Sequence, residues 1–460
     1  MDNKKLTIYV LLVASLVNFL TAFLSSATTV AIPVIAVDLG LSNIVQNWVS
    51  TIFLLTIAVF SVPCGHIVGK YGIKRSMIIG VVIALISFIG CIFSNSAELL
   101  LFFRVVQGIG CALLNVSATL FVVEPLPKEK RGRGLGISIT AVYIGLTLAP
   151  LLGGLLTYNF GWQSIFVIVI PFFILALLIL LFAIKKEWKI NENSFFDLKG
   201  SIVYSFGIVF FIYGFTTLNS LLGILLTIIG IILLVIFVLL ELKVKSPIFK
   251  ITLFKGLEFS AASFASLVSY IATFVITFVL NYHFQYIWGM DSQLSGLILI
   301  ITPIIQAVFS PVSGRLSDRM NPLKISAFGL VFVTLALGIL CTLNESTSMI
   351  LIVLAMVLQG IGWGLFSSPN VNAIMSSVPK EDTNQASAAV STIRTVGQTL
   401  SVGIFTMVFA VIMGNVAIVP SNYNLLMASS RISCIISTIL CLLALFACVL
   451  GYKKGTVLKH

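Results

Sequence analysis

The chain has 460 residues, 59% of them hydrophobic and 9% charged, with a mean hydropathy of +1.15 and a formal net charge of +12. Soluble globular domains carry about 25% charge, so a water-soluble enzyme is excluded, as is one with a single anchor, and a multi-span membrane protein is expected. Seven cysteines, all in apolar runs, and three histidines form no cluster of metal-ligand spacing, so no metal, cofactor, disulfide framework or catalytic site is expected.

A bilayer-crossing helix needs about 20 apolar residues. In chain order such stretches run over 6–35, 45–68, 77–93, 99–123, 135–157 and 165–184. A polar connector, 185–199, precedes two more at 202–218 and 221–240. Beyond a second connector come 259–286, 294–313, 325–343, 349–375, 386–413 and 425–451, for an expected total of fourteen. The first stretch is longer than the roughly 7–15 apolar residues of a signal peptide and reads as a retained helix.

Lys and Arg collect in cytoplasmic loops, which gives an independent check on that count. Of 27 cations, Arg104, Arg394 and Arg431 fall inside spans. The other 24 lie at the termini or in every second loop, beginning with Lys70, Lys74 and Arg75 after span 2 and ending with Lys380 after span 12. This alternation requires an even number of spans and puts both termini in the cytoplasm. It also accounts for the net charge as a membrane-surface feature, so no nucleic-acid partner is expected.

The loop after span 2 contains Gly65, Gly69, Gly72, Lys74 and Arg75; the loop after span 10 contains Gly314, Asp318, Arg319 and Lys324 in the same pattern. Repeated patterns mark transporters built from duplicated bundles. The pair resembles the G-x-L-x-D-R-x-G-R-R/K loop signature of the major facilitator superfamily. Arg104-Val105-Val106-Gln107-Gly108 is similar to that family's R-x-x-Q-G motif, and Gly145 through Pro150 to Gly153-Gly154 resembles its antiporter motif. Gly161-Trp162-Gln163-Ser164-Ile165-Phe166 looks like its G-W-R-W-I-F segment. Fourteen spans, with Phe196 to Gly200 and Pro247 to Phe249 at the middle boundaries, resemble the drug:proton antiporter branch.

The resemblance implies an all-α membrane protein: two six-helix bundles, 1–190 and 258–460, with a central helix pair and connectors at 191–257. It implies a secondary transporter in the cell membrane, acting as a monomer by alternating access, exporting amphiphilic drugs or toxic metabolites with protons as the possible co-substrate. A carrier of a neutral or anionic metabolite is the alternative, and a transporter-like sensor the alternative outside transport. The resemblance gives the glycines and Pro150 a gating role, with Asp318 the acid retained by the second loop; the first has Gly69 in its place, and Leu24 stands where the branch carries an acid on span 1.

Polar residues spaced by three and four share a helix face. Span 1 offers Asn18, Thr21 and Ser25; span 4 offers Arg104, Gln107 and Asn115. Span 9 offers Tyr270, Thr277 and Asn281; span 12 offers Gln359, Trp363 and Asn370; span 13 carries Arg394. These are the candidate substrate residues, in an uncharged, hydrogen-bonding cavity with aromatic walls. An intramembrane Arg needs an anion, carbonyls or water, and Asp38 is the acid expected beside Arg104. By the resemblance Arg104 takes part in proton coupling. Of the acids within reach of the cavity, Asp38 and Glu124, the latter at the inner end of span 4 is the favoured carrier.

Overall fold

The computed structural model describes residues 3–126, 128–189, 197–218, 220–244, 251–317, 320–379, 383–414, 416, 418 and 420–457 together with 419. The described chain is helical throughout, in the order α1 (Asn3–Asp38), α2 (Asn43–Tyr71), α3 (Ile73–Ile92), α4 (Ala97–Val123), α5 (Lys128–Phe160), α6 (Ser164–Leu178), α7 (Leu198–Thr216) and α8 (Leu221–Glu241). There follow α9 (Leu257–Thr273), α10 (Val275–Tyr282), α11 (Ser292–Leu299), α12 (Ile301–Ser317), α13 (Pro322–Leu340), α14 (Met349–Ser376), α15 (Thr383–Ile412) and α16 (Tyr423–Val457). Fourteen segments are long and apolar enough to cross a bilayer, so this is a multi-pass membrane protein.

Several spans begin where a short polar side chain replaces the missing helical acceptor. Ser42, Ser96, Ser220 and Ser348 accept from the backbone N–H three residues on. Asn321 accepts from Leu323 N at 3.0 Å, with Pro322 in the first turn, where its missing N–H costs nothing.

Contacts divide the chain into two units, one of residues 1–209 with 291–297, the other of 210–290 with 298–460. Within the first, α1 packs on α5 and α6, α4 on α2 and α3, and α3 on α6. Within the second, α9 packs on α15 and α16, α14 on α12 and α13, and α13 on α16. The same five pairings thus recur, as the duplicated loop pattern suggests. Where α1 meets α4, Ala14, Ala118, Val122 and Leu126 are buried together.

Span 9 is continuous in the sequence pattern but broken in the structure. Val275 N leaves the helical ladder and donates to Ser401 Oγ at 2.9 Å, so α9 ends and α10 begins there. A π-turn, His283–Ile287, follows. In α8 the buried positions are Gly223, Gly230, Phe237 and Glu241, a seam at intervals of seven, seven and four with apolar residues exposed on the remaining face. Apolar exposure on that scale suits acyl chains rather than water.

Candidate functional site

In the first unit the α2–α4 contact buries Arg104 completely. Its Nε donates to Val49 O at 3.0 Å and its Nη1 to Gln107 Oε1 at 2.6 Å, while the guanidinium lies 4.3 Å from the centre of the Phe53 ring. Arg104 and Gln107, three apart on α4, face the same way. Arg104 Nη2 and Gln107 Nε2 are buried with no hydrogen-bond partner among the described residues. The expected pairing of Arg104 with Asp38 is not what the structure holds. Asp38, at the end of α1, accepts instead from Trp162 Nε1 at 2.8 Å, and the buried indole packs edge-on against Phe166. A helix carbonyl, an amide oxygen and a ring face thus stand where an acid was expected, with Nη2 left unpartnered among the described residues.

The remaining candidates of this unit are partly spent on packing. Asn18 Nδ2 donates to Ser138 Oγ at 2.8 Å, tying α1 to α5, and Thr21 Oγ1 donates to Asn18 O. Ser25 and Asn115 are half-buried, and Glu124 is half-buried at the end of α4. Gly145 and Gly153 of α5 lie against Phe19 O and Ala27 of α1. Gly154 and the buried Pro150 lie against the 291–297 segment: a Cβ on Gly154 would overlap Ser292 O, and one on Gly296 would overlap Pro150 O. Ser292 Oγ donates to Gly154 O at 3.2 Å across that contact.

The first loop pattern gains an acid that the sequence pattern does not contain. Gly72 has φ +115°, a conformation that L side chains rarely adopt, and it opens α3 without a side-chain cap of its own. Glu187, from beyond α6, fills that place: Oε1 accepts from Lys74 N at 2.8 Å and Oε2 from Arg75 N at 3.1 Å, with Arg75 Nε 3.8 Å away. Ile73 N donates to Trp188 O at 2.9 Å, and the Trp188 ring stands edge-on to Phe121. A carboxylate on free N–H groups at a helix start is favoured by the helix dipole. Gly65 is half-buried with open space around it, and Gly314 faces Ser368. Asp318 and Arg319 lie outside the described residues.

In the second unit the aromatic candidates gather. Tyr270 of α9 lies 5.1 Å from Trp363 of α14, ring centre to ring centre, and Trp363 lies 5.3 Å from Phe366. Gln359 is buried one turn before Trp363. Asn370 Nδ2 is bound to Ala262 O at 3.0 Å, and Asn281 accepts from Gln285 Nε2 at 2.8 Å, so these two amides serve packing; Thr277 and Arg394 are half-buried. What the unit offers is an aromatic platform with amide and hydroxyl neighbours. The residues that sequence reasoning missed are Trp162 as the partner of Asp38, Glu187 as the cap of α3, and Ser401 as the acceptor at the α9 break.

Comparison with known proteins agrees with this architecture. The Major Facilitator Superfamily profile matches residues 14–402 and, again, 262–456. The chain is 27% identical over 408 residues to the riboflavin transporter RibZ of Clostridioides difficile, covering 87% of this chain and 88% of that one. It is 26% identical over 390 residues to the multidrug resistance protein Stp of Mycobacterium tuberculosis, covering 83% and 72%. Among solved structures it resembles a bacterial homologue of the human lysosomal transporter Spinster, with a TM-score of 0.71, 18% identity and 97% of both chains covered. With the family profile matching most of its length and fourteen segments able to cross a membrane, the chain is a membrane transporter belonging to the major facilitator superfamily.

Proposed function

We propose that the chain is a secondary active exporter of amphiphilic, ring-bearing small molecules, working by alternating access and driven by proton exchange. The observation that carries this reading is the Tyr270–Trp363–Phe366 cluster with Gln359 beside it, since stacking rings and a few polar groups are what amphiphilic aromatic ligands need. The relatives named for riboflavin and for multidrug resistance support it. The described acids all stand at helix ends or in connectors, from Asp38 at the end of α1 to Glu345 before α14. A lipophilic cation would therefore find no counter-ion within the described spans. This favours neutral or anionic substrates over the cations typical of the drug:proton branch.

Purified protein in liposomes with an imposed pH gradient tests the reading, with riboflavin as neutral probe and ethidium as cationic probe. Gradient-dependent movement of riboflavin is expected; failure to move either compound under any gradient would overturn it. In the same assay Glu124→Gln is expected to abolish substrate-driven proton movement. Asp38→Asn should leave it intact, because Asp38 is committed to Trp162. Intact coupling in both variants would assign the proton carrier elsewhere.

A further inference from the structure

The second unit holds a cation, at the start of an apolar stretch, that no described residue pairs. Arg394 lies on α15 inside the apolar stretch Thr392–Ile412, half-buried, with no hydrogen-bonding or ionic partner among the described residues. The described acids of this unit, Glu241, Glu258 and Glu345, stand at helix ends or in a turn. Arg394 is the third residue of that stretch, and a guanidinium there that no described anion pairs is open to an anionic ligand.

The neighbouring contacts place Arg394 one turn before the residue of α15 that meets the aromatic platform. One turn on, Gly397 allows α15 to touch α9: a Cβ there would lie 2.7 Å from Tyr270 Cβ and 3.0 Å from Leu267 O. One further turn on, Ser401 Oγ accepts from Val275 N, which fixes the register of the two helices. Arg394 is thus carried one turn from the residue that meets Tyr270, which itself packs on Trp363. On α14, Gln359, Trp363 and Ser367 are spaced by four and form one stripe. The Ser367 hydroxyl is buried, with no hydrogen-bond partner among the described residues.

We infer that α9, α14 and α15 form a binding site for an aromatic anion, its ring against Tyr270 and Trp363 and its carboxylate or phosphate on Arg394, with Ser367 as a further hydrogen-bonding group. The guanidinium fork matches the paired oxygens of either anion. The inference rests on the proposed handling of ring-bearing compounds and adds a sign of charge to it.

Riboflavin and flavin mononucleotide carry the same ring system and differ by a phosphate, so the pair isolates the contribution of charge. Their binding to the purified full-length protein is read from flavin fluorescence, with ethidium as the cationic comparison. Wild-type protein is expected to bind the phosphorylated flavin more tightly than riboflavin, and ethidium least. Arg394→Gln should weaken flavin mononucleotide about tenfold or more, as loss of a charged hydrogen bond does, and change riboflavin less than about twofold. Arg394→Lys should retain part of the preference. Riboflavin binding without any preference for the phosphorylated form, or equal losses for both flavins in Arg394→Gln, would overturn the inference and leave the proposed function standing. Binding of none of the three would overturn both. If Arg394→Gln is not recovered folded, the wild-type ranking decides, and a preference for ethidium refutes the site.

Discussion

Arg104 and Trp162 show how single polar side chains are settled inside an apolar bundle. Arg104 stands out in the sequence because a cation within a span demands a partner; Gln107 lies in the same motif, but the other acceptor is a backbone carbonyl 55 residues away, which no sequence pattern records. Asp38 was the nearest acid by position along the spans. It is instead taken by an indole 124 residues away, whose motif signals a helix start and gives no hint of its hydrogen bond. Asp38 is exposed, so its bond to the buried indole is worth less than the about 1.5–3 kcal/mol of a hydrogen bond to a charged group, yet still favours the fold. Trp162→Phe and Asp38→Ala are therefore each expected to lower the thermal unfolding midpoint in detergent. The double variant should be little worse than either single one, since each removes the same bond. Additive losses would show that the two side chains act independently.

At the level of elements, the boundary between α2 and α3 rests on a borrowed carboxylate. Gly69 leaves the first loop pattern without its acid, and Glu187 supplies one from a segment more than a hundred residues later. The sequence reads Glu187 as one more polar residue of a connector, because capping in trans leaves no local spacing to find. The Ser caps of α2, α4, α8 and α14 are local by contrast, acceptor and donor lying three residues apart. Glu187→Ala should cost about 1 kcal/mol of stability, in the range of a lost helix cap, with a lower unfolding midpoint. Glu187→Asp, one methylene shorter, should recover only part of it; a midpoint unchanged in Glu187→Ala would refute the cap. Close approach is the other device at this scale. Gly154→Leu would drive a side chain into the backbone of Ser292, so transport in liposomes is expected to fall at least tenfold with protein still present in the membrane. A normal rate would mean that the contact between α5 and the 291–297 segment is dispensable.

For the whole molecule, the legible quantities were those that the bilayer itself imposes. Length and apolarity of each span are requirements of the solvent, so fourteen crossings could be read off the chain and recur in the structure. The helix pairings were legible only through the duplicated loop pattern, and the breaks in spans 9 and 10 were hidden because hydropathy does not register which backbone N–H leaves its ladder. Orientation is a further quantity, carried by the charges. With 24 of 27 cations at the termini or in alternate loops, the electrostatic preference for the cytoplasmic side is summed over eight segments, and no single loop has to decide it. The turns at Asn344 and Ser421 join spans across cation-free loops, whereas Glu192 belongs to a connector flanked by Lys185, Lys186, Lys189 and Lys199. Single-cysteine variants at these three positions, made in a background lacking the seven native cysteines, should therefore react unequally with an impermeant thiol reagent added to intact cells. Labelling at Asn344→Cys and Ser421→Cys, with labelling at Glu192→Cys only after the cells are opened, is expected. Labelling of Glu192→Cys from outside with protection of the other two would invert the protein and, with it, the assignment of both termini to the cytoplasm; a mixture within the first pair would break the alternation and reduce the number of true crossings below fourteen.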